Sequence, residues 1–161
     1  MIFTPHIIVG ATIGAKTQNL GLIILLALLF HIIMDKIPHW DYTAIKYVNK
    51  FKKTKKIKHL FPIILKSLID VVSGLLIAFL ILWNTDLLSI LPFVLLGIFF
   101  SVLLDIINTI AYLLPYKGFA KISIDFHEKF HDKKIKEGEI TFLSLATQII
   151  VILICVFLLN L

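Results

Sequence analysis

Long apolar stretches alternate with short polar ones along this chain. Residues 20–37, 60–83, 88–114 and 140–159 are almost continuously apolar. Each is close to the ~20 residues that carry a helix across the hydrocarbon core of a bilayer. Residues 4–15 form a shorter, mixed segment with Gly10 and Gly14 four apart, the small-xxx-small spacing that lets helices approach closely. That segment is short for a span and reads as a tilted, re-entrant or packed helix. Lys16-Thr17-Gln18-Asn19 and Asn84-Thr85-Asp86 read as turns, and Pro38 ends or kinks the second helix. Residues 42–59 and 115–139 read as polar loops, the second enclosing a short amphipathic helix over about 124–136. The pattern predicts one all-α domain over residues 1–161: a polytopic transmembrane helix bundle with three clear spans and a short N-terminal helix that packs or spans. No repeat or low-complexity tract interrupts it.

Composition agrees. Of the 161 residues, 59% are apolar and 16% charged, against roughly half and a quarter in soluble domains. The single cysteine, Cys155, excludes a disulfide framework and any Cys-based zinc site within the chain. The first residues lack a basic n-region, and His6, Thr12, Lys16 and Gln18 interrupt the apolar run, so they are read as part of the mature chain rather than a signal peptide.

The net charge of +6 comes entirely from lysine. In so apolar a chain it points to an anionic membrane surface rather than to nucleic acid. Fifteen of the sixteen lysines fall within 36–66 and 117–136, and only Lys16 lies elsewhere. Cytoplasmic loops are enriched in lysine and arginine. Both basic loops are therefore expected on the cytoplasmic side of the cytoplasmic (inner) membrane, the N-terminus starting inside and the two short turns facing outward. Lys52, Lys53, Lys55, Lys56 and Lys58 are candidates for contact with the lipid bilayer and its anionic headgroups.

This topology brings polar residues to one depth. His31, Asp35, His39 and Asp41 sit at the cytoplasmic end of the second helix, Lys66 and Asp70 at the start of the third, and Asp105 and Asn108 near the end of the fourth. His127 and His131 follow, and His6 joins the same level. A charge at the middle of a spanning helix costs about 2.5–3.5 kcal/mol on insertion scales, so such groups tend to face inward and pair. Lys66 can snorkel to the headgroups, and Asp70 can pair with it four residues on. His31 and Asp35 share a helix face, and with His39 and Asp41 they set two imidazoles and two carboxylates within eleven residues. That donor set suits one divalent ion, Zn²⁺ or Mn²⁺. The bland alternative is a polar helix end flanked by an aromatic belt of Trp40 and Tyr42.

His127-Glu128-Lys129-Phe130-His131 matches the H-E-x-x-H pattern of zinc proteases. It lies in a charged stretch rather than an apolar helix and lacks the extended metzincin spacing. His127 and His131 are read instead as ligands that close over the site, with a solvated amphipathic helix as the alternative.

Thr4-Pro5-His6 with Gly10 and Gly14, followed by His31-x-x-x-Asp35-x-x-Pro38-His39-x-Asp41, resembles small bacterial membrane-bound metal-dependent hydrolases. More distantly, it resembles the zinc-dependent phospholipase C and single-strand nuclease superfamily. The resemblance covers mainly the first 41 residues, with Asp105, His127 and His131 as later matches. This chain has Pro38-His39-Trp40-Asp41 where the hydrolases show Pro-Asp-x-Asp-His, and their later His-Arg-Gly-x-x-His is absent. The resemblance implies a hydrolase of phosphoesters or phospholipid headgroups. Asp35 and Asp41 would be its catalytic carboxylates, and His6, His31, Asp35, His39, Asp41, Asp105, His127 and His131 its metal ligands. A non-enzymatic membrane protein with a structural or transport-related His/Asp cluster is the main competitor, and an H-E-x-x-H protease a second.

Overall fold

The computed structural model describes residues 1–83, 85–131 and 139–160. Their regular structure is entirely helical: α1 (Phe3–Thr17), α2 (Leu20–Lys36), α3 (Ala44–Thr54), α4 (Phe61–Leu82), α5 (Leu87–Leu113), α6 (Phe119–Phe130) and α7 (Phe142–Asn160), with a 3₁₀ turn at Ile57–His59. Helices α4, α5 and α7 are long and apolar enough to span a membrane. Large apolar side chains such as Leu80, Leu88, Leu95, Phe157 and Leu153 point outward from them, as an integral membrane protein requires of its lipid-facing surface.

The short first helix is the centre of the bundle. Thr4 to Thr12 and Gly14 of α1 are buried, and the helix packs against α2, α4, α5 and α7. Its length of about 22 Å at 1.5 Å per residue is no obstacle, because neighbouring helices rather than lipid surround it. The Gly10–Gly14 spacing explains the closest contact. A Cβ added to Gly10 would lie 2.5 Å from the carbonyl oxygen of Gly97 on α5, and one added to Gly14 would collide with the backbone of Phe93. Gly97 and Ser101 repeat the small-residue spacing on α5, so the two backbones meet without intervening side chains. Ile7 and Ala11 fill the space beside this seam with Ala78 and Leu82 of α4 and Ile90 and Val94 of α5. On the opposite flank, Ile8 and Val9 pack with Met34 and Cys155.

Pro5 is tolerated because the first turn of a helix has no N–H bonds to lose. The donors that remain there are satisfied from α4. Asp70 accepts from the N–H of Phe3 at 2.5 Å and of Thr4 at 3.2 Å, and from Thr4 Oγ1 at 2.6 Å. This corrects the expectation that Asp70 pairs with Lys66. No ion pair joins those two among the described residues, and Lys66 is exposed. A carboxylate gains more at a helix N-terminus, where it meets aligned N–H groups and a positive dipole end, than beside a solvated lysine.

Two boundaries also differ from expectation. Residues 42–59 are not a plain loop, since α3 occupies Ala44–Thr54. Ile45 and Val48 form its inner face and the lysines its outer one, a 3.6-residue period masked by the charge run. Lys55 closes the helix in the left-handed conformation. Helix α6 begins at Phe119, directly after Gly118 at φ +53°, and ends at Phe130. The part of the expected 124–136 helix beyond residue 131 lies outside the described residues, as does Asn84 of the expected turn.

Helix α2 ends at Lys36, and Ile37 is extended, as the residue before Pro38 should be. The start of α1, the end of α2, the start of α4, the end of α5 and all of α3 and α6 thus gather at one end of the bundle. Lys16, the end of α4 and the start of α5 lie at the other.

Candidate metal centre

At the gathered end, seven histidine and aspartate side chains form two adjacent groups, with His6 as an eighth beside them. His31, Asp35, Asp105 and His127 make the first, and each contributes a ligand-type atom within 4.8 Å of the others. His39, Asp41 and His131 make the second on the same criterion. His6 backs the first group. Its ring stacks on His31 with centroids 4.4 Å apart, and its Nε2 lies 3.3 Å from Asp35 Oδ1 and 3.9 Å from Asp105 Oδ2. All eight residues named from the sequence are therefore brought together. Glu128 lies beside them on the wall of a cavity rather than within either group.

Local chain geometry positions each donor. His31 and Asp35 are one turn apart on α2, with His31 Nε2 3.2 Å from Asp35 Oδ2. His31 Nδ1 donates to the carbonyl of Ser101 at 2.7 Å. A carbonyl can only accept, so Nδ1 carries a proton and Nε2 faces the two carboxylates. Ser101 also donates from Oγ to the carbonyl of His6 at 2.7 Å. Beyond Pro38 the chain is fastened to α7, where Thr147 Oγ1 donates to Pro38 O at 2.6 Å and Gln148 Nε2 to Trp40 O at 3.1 Å. There His39 Nδ1 donates to Ile37 O at 2.7 Å, which turns its Nε2 toward His131 Nε2, 3.2 Å away. His131 Nε2 in turn lies 3.5 Å from Asp41 Oδ2.

Ser101, Thr147 and Gln148 carry no ligand chemistry, and sequence reading passed over them as supports. The Gly97-x-x-x-Ser101 spacing was the one available signal for Ser101. The H-E-x-x-H pair is divided between the two groups. His127 joins the first and His131 the second, because α6 stops at Phe130 and His131 leaves the helix.

The electrostatics outside the spans favour ligand forms. Burial pushes His39 and His127 down to about 4, so both imidazoles are neutral at physiological pH. Burial works against the ionised form of Asp41, but the nearby amine of Met1 and hydrogen bonds from His131 and the Tyr42 N–H outweigh it and hold the carboxyl well below its usual range. Burial likewise opposes charge on His131, and its bond to Asp41 raises it nonetheless. The α-amino group of Met1 lies 2.8 Å from Asp35 Oδ1 and 3.5 Å from Asp41 Oδ2. Burial disfavours its charge, yet the carboxylates of Asp35, Asp41 and Asp105 raise its pKa to about 11. The space between the groups therefore favours a cation.

The donor set fits a divalent ion on a further count. His6 Nδ1 and Nε2, His31 Nε2 and Asp105 Oδ2 are buried without a hydrogen-bond partner. Buried polar atoms are normally satisfied, and a lone-pair nitrogen 3.2 Å from a carboxylate oxygen is repulsive unless a proton or a metal ion joins them. Oxygen and nitrogen donors in this mixture suit Zn²⁺ or Mn²⁺.

One side of the centre is open. A cavity of about 770 Å³ reaches it, with Asp41, Asp105, His127 and His131 on its wall. Asp35 lies behind these, 2% exposed. The basic residues divide. Lys52 donates from Nζ to Leu114 O at 3.0 Å, capping the end of α5, whereas Lys53, Lys55, Lys56 and Lys58 are exposed.

No protein-family model, curated protein or solved structure matches the chain.

Proposed function

We propose that this protein is a membrane-embedded, metal-dependent hydrolase whose substrate is a phosphoester, with a phospholipid headgroup as the natural candidate. The observation that carries the reading is the open wall of the centre, where Asp41, Asp105, His127 and His131 face a cavity while Asp35, His31 and His6 are sealed behind them. A purely structural cluster has no need of a side open to ligand.

In this reading His31, Asp35, Asp105 and His127 hold one ion and His39, Asp41 and His131 are disposed to hold a second. A bound ion of this kind lowers the pKa of water and polarises a phosphoryl oxygen. The chain's own contribution is orientation. Ser101 and Ile37 accept from the Nδ1 atoms of His31 and His39 and aim their Nε2 lone pairs inward, as supporting hydrogen bonds do around metal sites. Asp35 contributes negative charge to the sealed side, and Asp41, ionised and on the cavity wall, is placed to accept a hydrogen bond from an incoming water and orient it. The exposed Lys53, Lys55, Lys56 and Lys58 draw anionic lipid to the same end of the bundle. That end is assigned to the cytoplasmic side of the inner membrane from its lysine content.

The test is the metal content of detergent-purified protein, wild type against His31→Ala/Asp35→Ala. About one equivalent or more per chain, lost in the double variant, supports the reading and leads to a phosphoesterase screen. If neither protein retains metal, even after incubation with Zn²⁺ or Mn²⁺, the centre is a structural His/Asp cluster and the hydrolase reading falls.

A further inference from the structure

The cavity beside the centre extends far beyond the space an ion and a water need. At about 770 Å³ it lies within the ~300–1,000 Å³ typical of small-molecule sites. Asp41, Asp105, His127 and His131 line it at the centre. Its wall also includes Ala44 and Val48 of α3, Ile64 and Leu68 of α4, and Ile106 and Ile110 of α5, with Ser67 and Thr109 as polar members.

The topology explains why this space exists. The end of α4 and the start of α5 both pack on α1, through Ala78, Leu82, Ile90 and Val94. Toward their other ends only Met1, Ile2 and Phe3 at the start of α1 reach the cavity between them. α3 covers the gap from the end of the bundle, with Val48 turned inward. Along the side the gap is open, since Ile64, Leu68 and Ile110 are each more than half exposed or close to it, at 55%, 57% and 50%. These residues belong to two helices long enough to span a membrane.

A second observation points to a ligand. Asn108, one turn beyond Asp105 on α5, is 7% exposed and lines the cavity, and its Oδ1 has no hydrogen-bond partner. A buried amide without a partner costs free energy. Here it sits between the polar end and the apolar walls. The cavity therefore combines carboxylates and imidazoles at the centre, a buried amide beside them, and walls made largely of aliphatic side chains.

We propose that the cavity is an acyl-chain site. It admits one hydrocarbon chain of a membrane lipid sideways from the bilayer, sets a donor of the lipid's polar part, a hydroxyl or an amide N–H, against Asn108 Oδ1, and presents its phosphate to the centre. The headgroup half of this assignment rests on the hydrolase reading, while the chain half rests on the cavity alone. Transfer of a chain from bilayer to cavity gains little from the hydrophobic effect, because lipid tails are as apolar as the walls. Selection therefore lies with the polar end, and the walls act by shape.

The experiment uses the full-length protein in phosphatidylcholine nanodiscs containing phosphatidic acid with a diazirine at mid-chain. Samples with EDTA and with Mn²⁺ are irradiated, and labelled residues are mapped by peptide sequencing. The expected map concentrates label on residues 44–48, 63–71 and 106–113. In Val48→Trp, which fills the cavity from α3, that label falls to the level on the outer face of α7. Ile110→Trp narrows the opening from the opposite wall and serves if the first variant does not yield monodisperse protein. Label spread evenly over α4, α5 and α7 in the wild type marks ordinary surrounding lipid and overturns the proposal, as does cavity label that survives the tryptophan. The hydrolase reading fails separately. Cavity labelling needs no turnover and is expected in EDTA, so labelled protein without phosphoesterase activity removes only the chemistry. Turnover of a soluble phosphoester with no cavity label removes only the chain site.

Discussion

His31 Nδ1 donates to the main-chain carbonyl of Ser101 at 2.7 Å, and the same serine donates from Oγ to the carbonyl of His6 at 2.7 Å. One residue of α5 thus fixes the tautomer of a ligand on α2 and anchors the backbone of the histidine that stacks on it. The two functions are separable, because the first uses the carbonyl and the second the side chain. Ser101→Ala is expected to lower stability by about 0.5–1.5 kcal/mol, the worth of one hydrogen bond, and to leave bound metal unchanged. Thermal melting in detergent together with metal analysis checks this. Loss of metal in Ser101→Ala would mean that the hydroxyl, not the carbonyl, holds the centre.

The α1–α5 seam makes a harsher prediction. A Cβ at Gly10 would sit 2.5 Å from a backbone carbonyl, and neither helix can yield without moving its ligands. Overpacking typically costs about 1–3 kcal/mol where side chains can adjust, and here the obstacle is backbone. Gly10→Leu should therefore fail to accumulate as monodisperse protein, whereas Gly21→Leu, whose Cβ would make only an ordinary 3.6 Å contact with Asn19 Oδ1, should behave as wild type. Size-exclusion chromatography of both decides it.

Asp70 and Lys66 give a paired test. Asp70 caps α1 through the N–H groups of Phe3 and Thr4, and loss of a cap costs about 0.5–2 kcal/mol. Asp70→Ala should lower the melting temperature and Lys66→Ala should not. Equal effects would restore the direct Lys66–Asp70 pair suggested by their spacing.

Glu128 separates two chemistries. A protease built on H-E-x-x-H needs Glu128 as its general base, whereas here His127 and His131 serve different groups. If a phosphoesterase activity is found, Asp41→Asn should reduce kcat by about 10²–10⁴-fold, the range for a positioned acid–base group, and Glu128→Gln far less. The reverse order, measured as kcat for the two variants, would favour the protease reading.

Acidification tests the buried imidazoles. His39 and His127 are held near 4, below the ordinary 6.5. Between those values the unfolded chain binds protons that the folded one does not. Stability of the metal-free protein should therefore rise with pH from about 4 to 6.5, and its loss on acidification should be complete near pH 4. His131 is raised instead, so its contribution is full below 6.5 and declines as pH climbs past its folded value. Melting temperature in EDTA across pH 4 to 8 reads both, and His39→Gln/His127→Gln should flatten the lower limb. An unchanged lower limb in that variant would place the titrating groups elsewhere.

Much of this was legible along the chain. Hydropathy runs located α4, α5 and α7 because a spanning helix must be apolar over its whole length, a requirement local enough to read directly. His31-x-x-x-Asp35 and the Pro38 stop followed from the helical period and the missing proline N–H. The level shared by His6, Asp105, His127 and His131 followed from counting helix ends.

Tertiary structure alone decided the rest. The short α1 became the core, not a surface helix, because Gly97 and Ser101 lie opposite Gly10 and Gly14, and sequence does not disclose which helices face each other. Asp70 left its near neighbour Lys66 for the N-terminus of α1, since a helix end supplies aligned donors that no i,i+4 count reveals. The division of seven candidate ligands into two groups depended on where α6 ended and on Thr147 and Gln148 gripping the chain after Pro38. The cavity is bounded by α3, α4, α5 and the start of the chain together, an arrangement of packed helices that no one of them encodes.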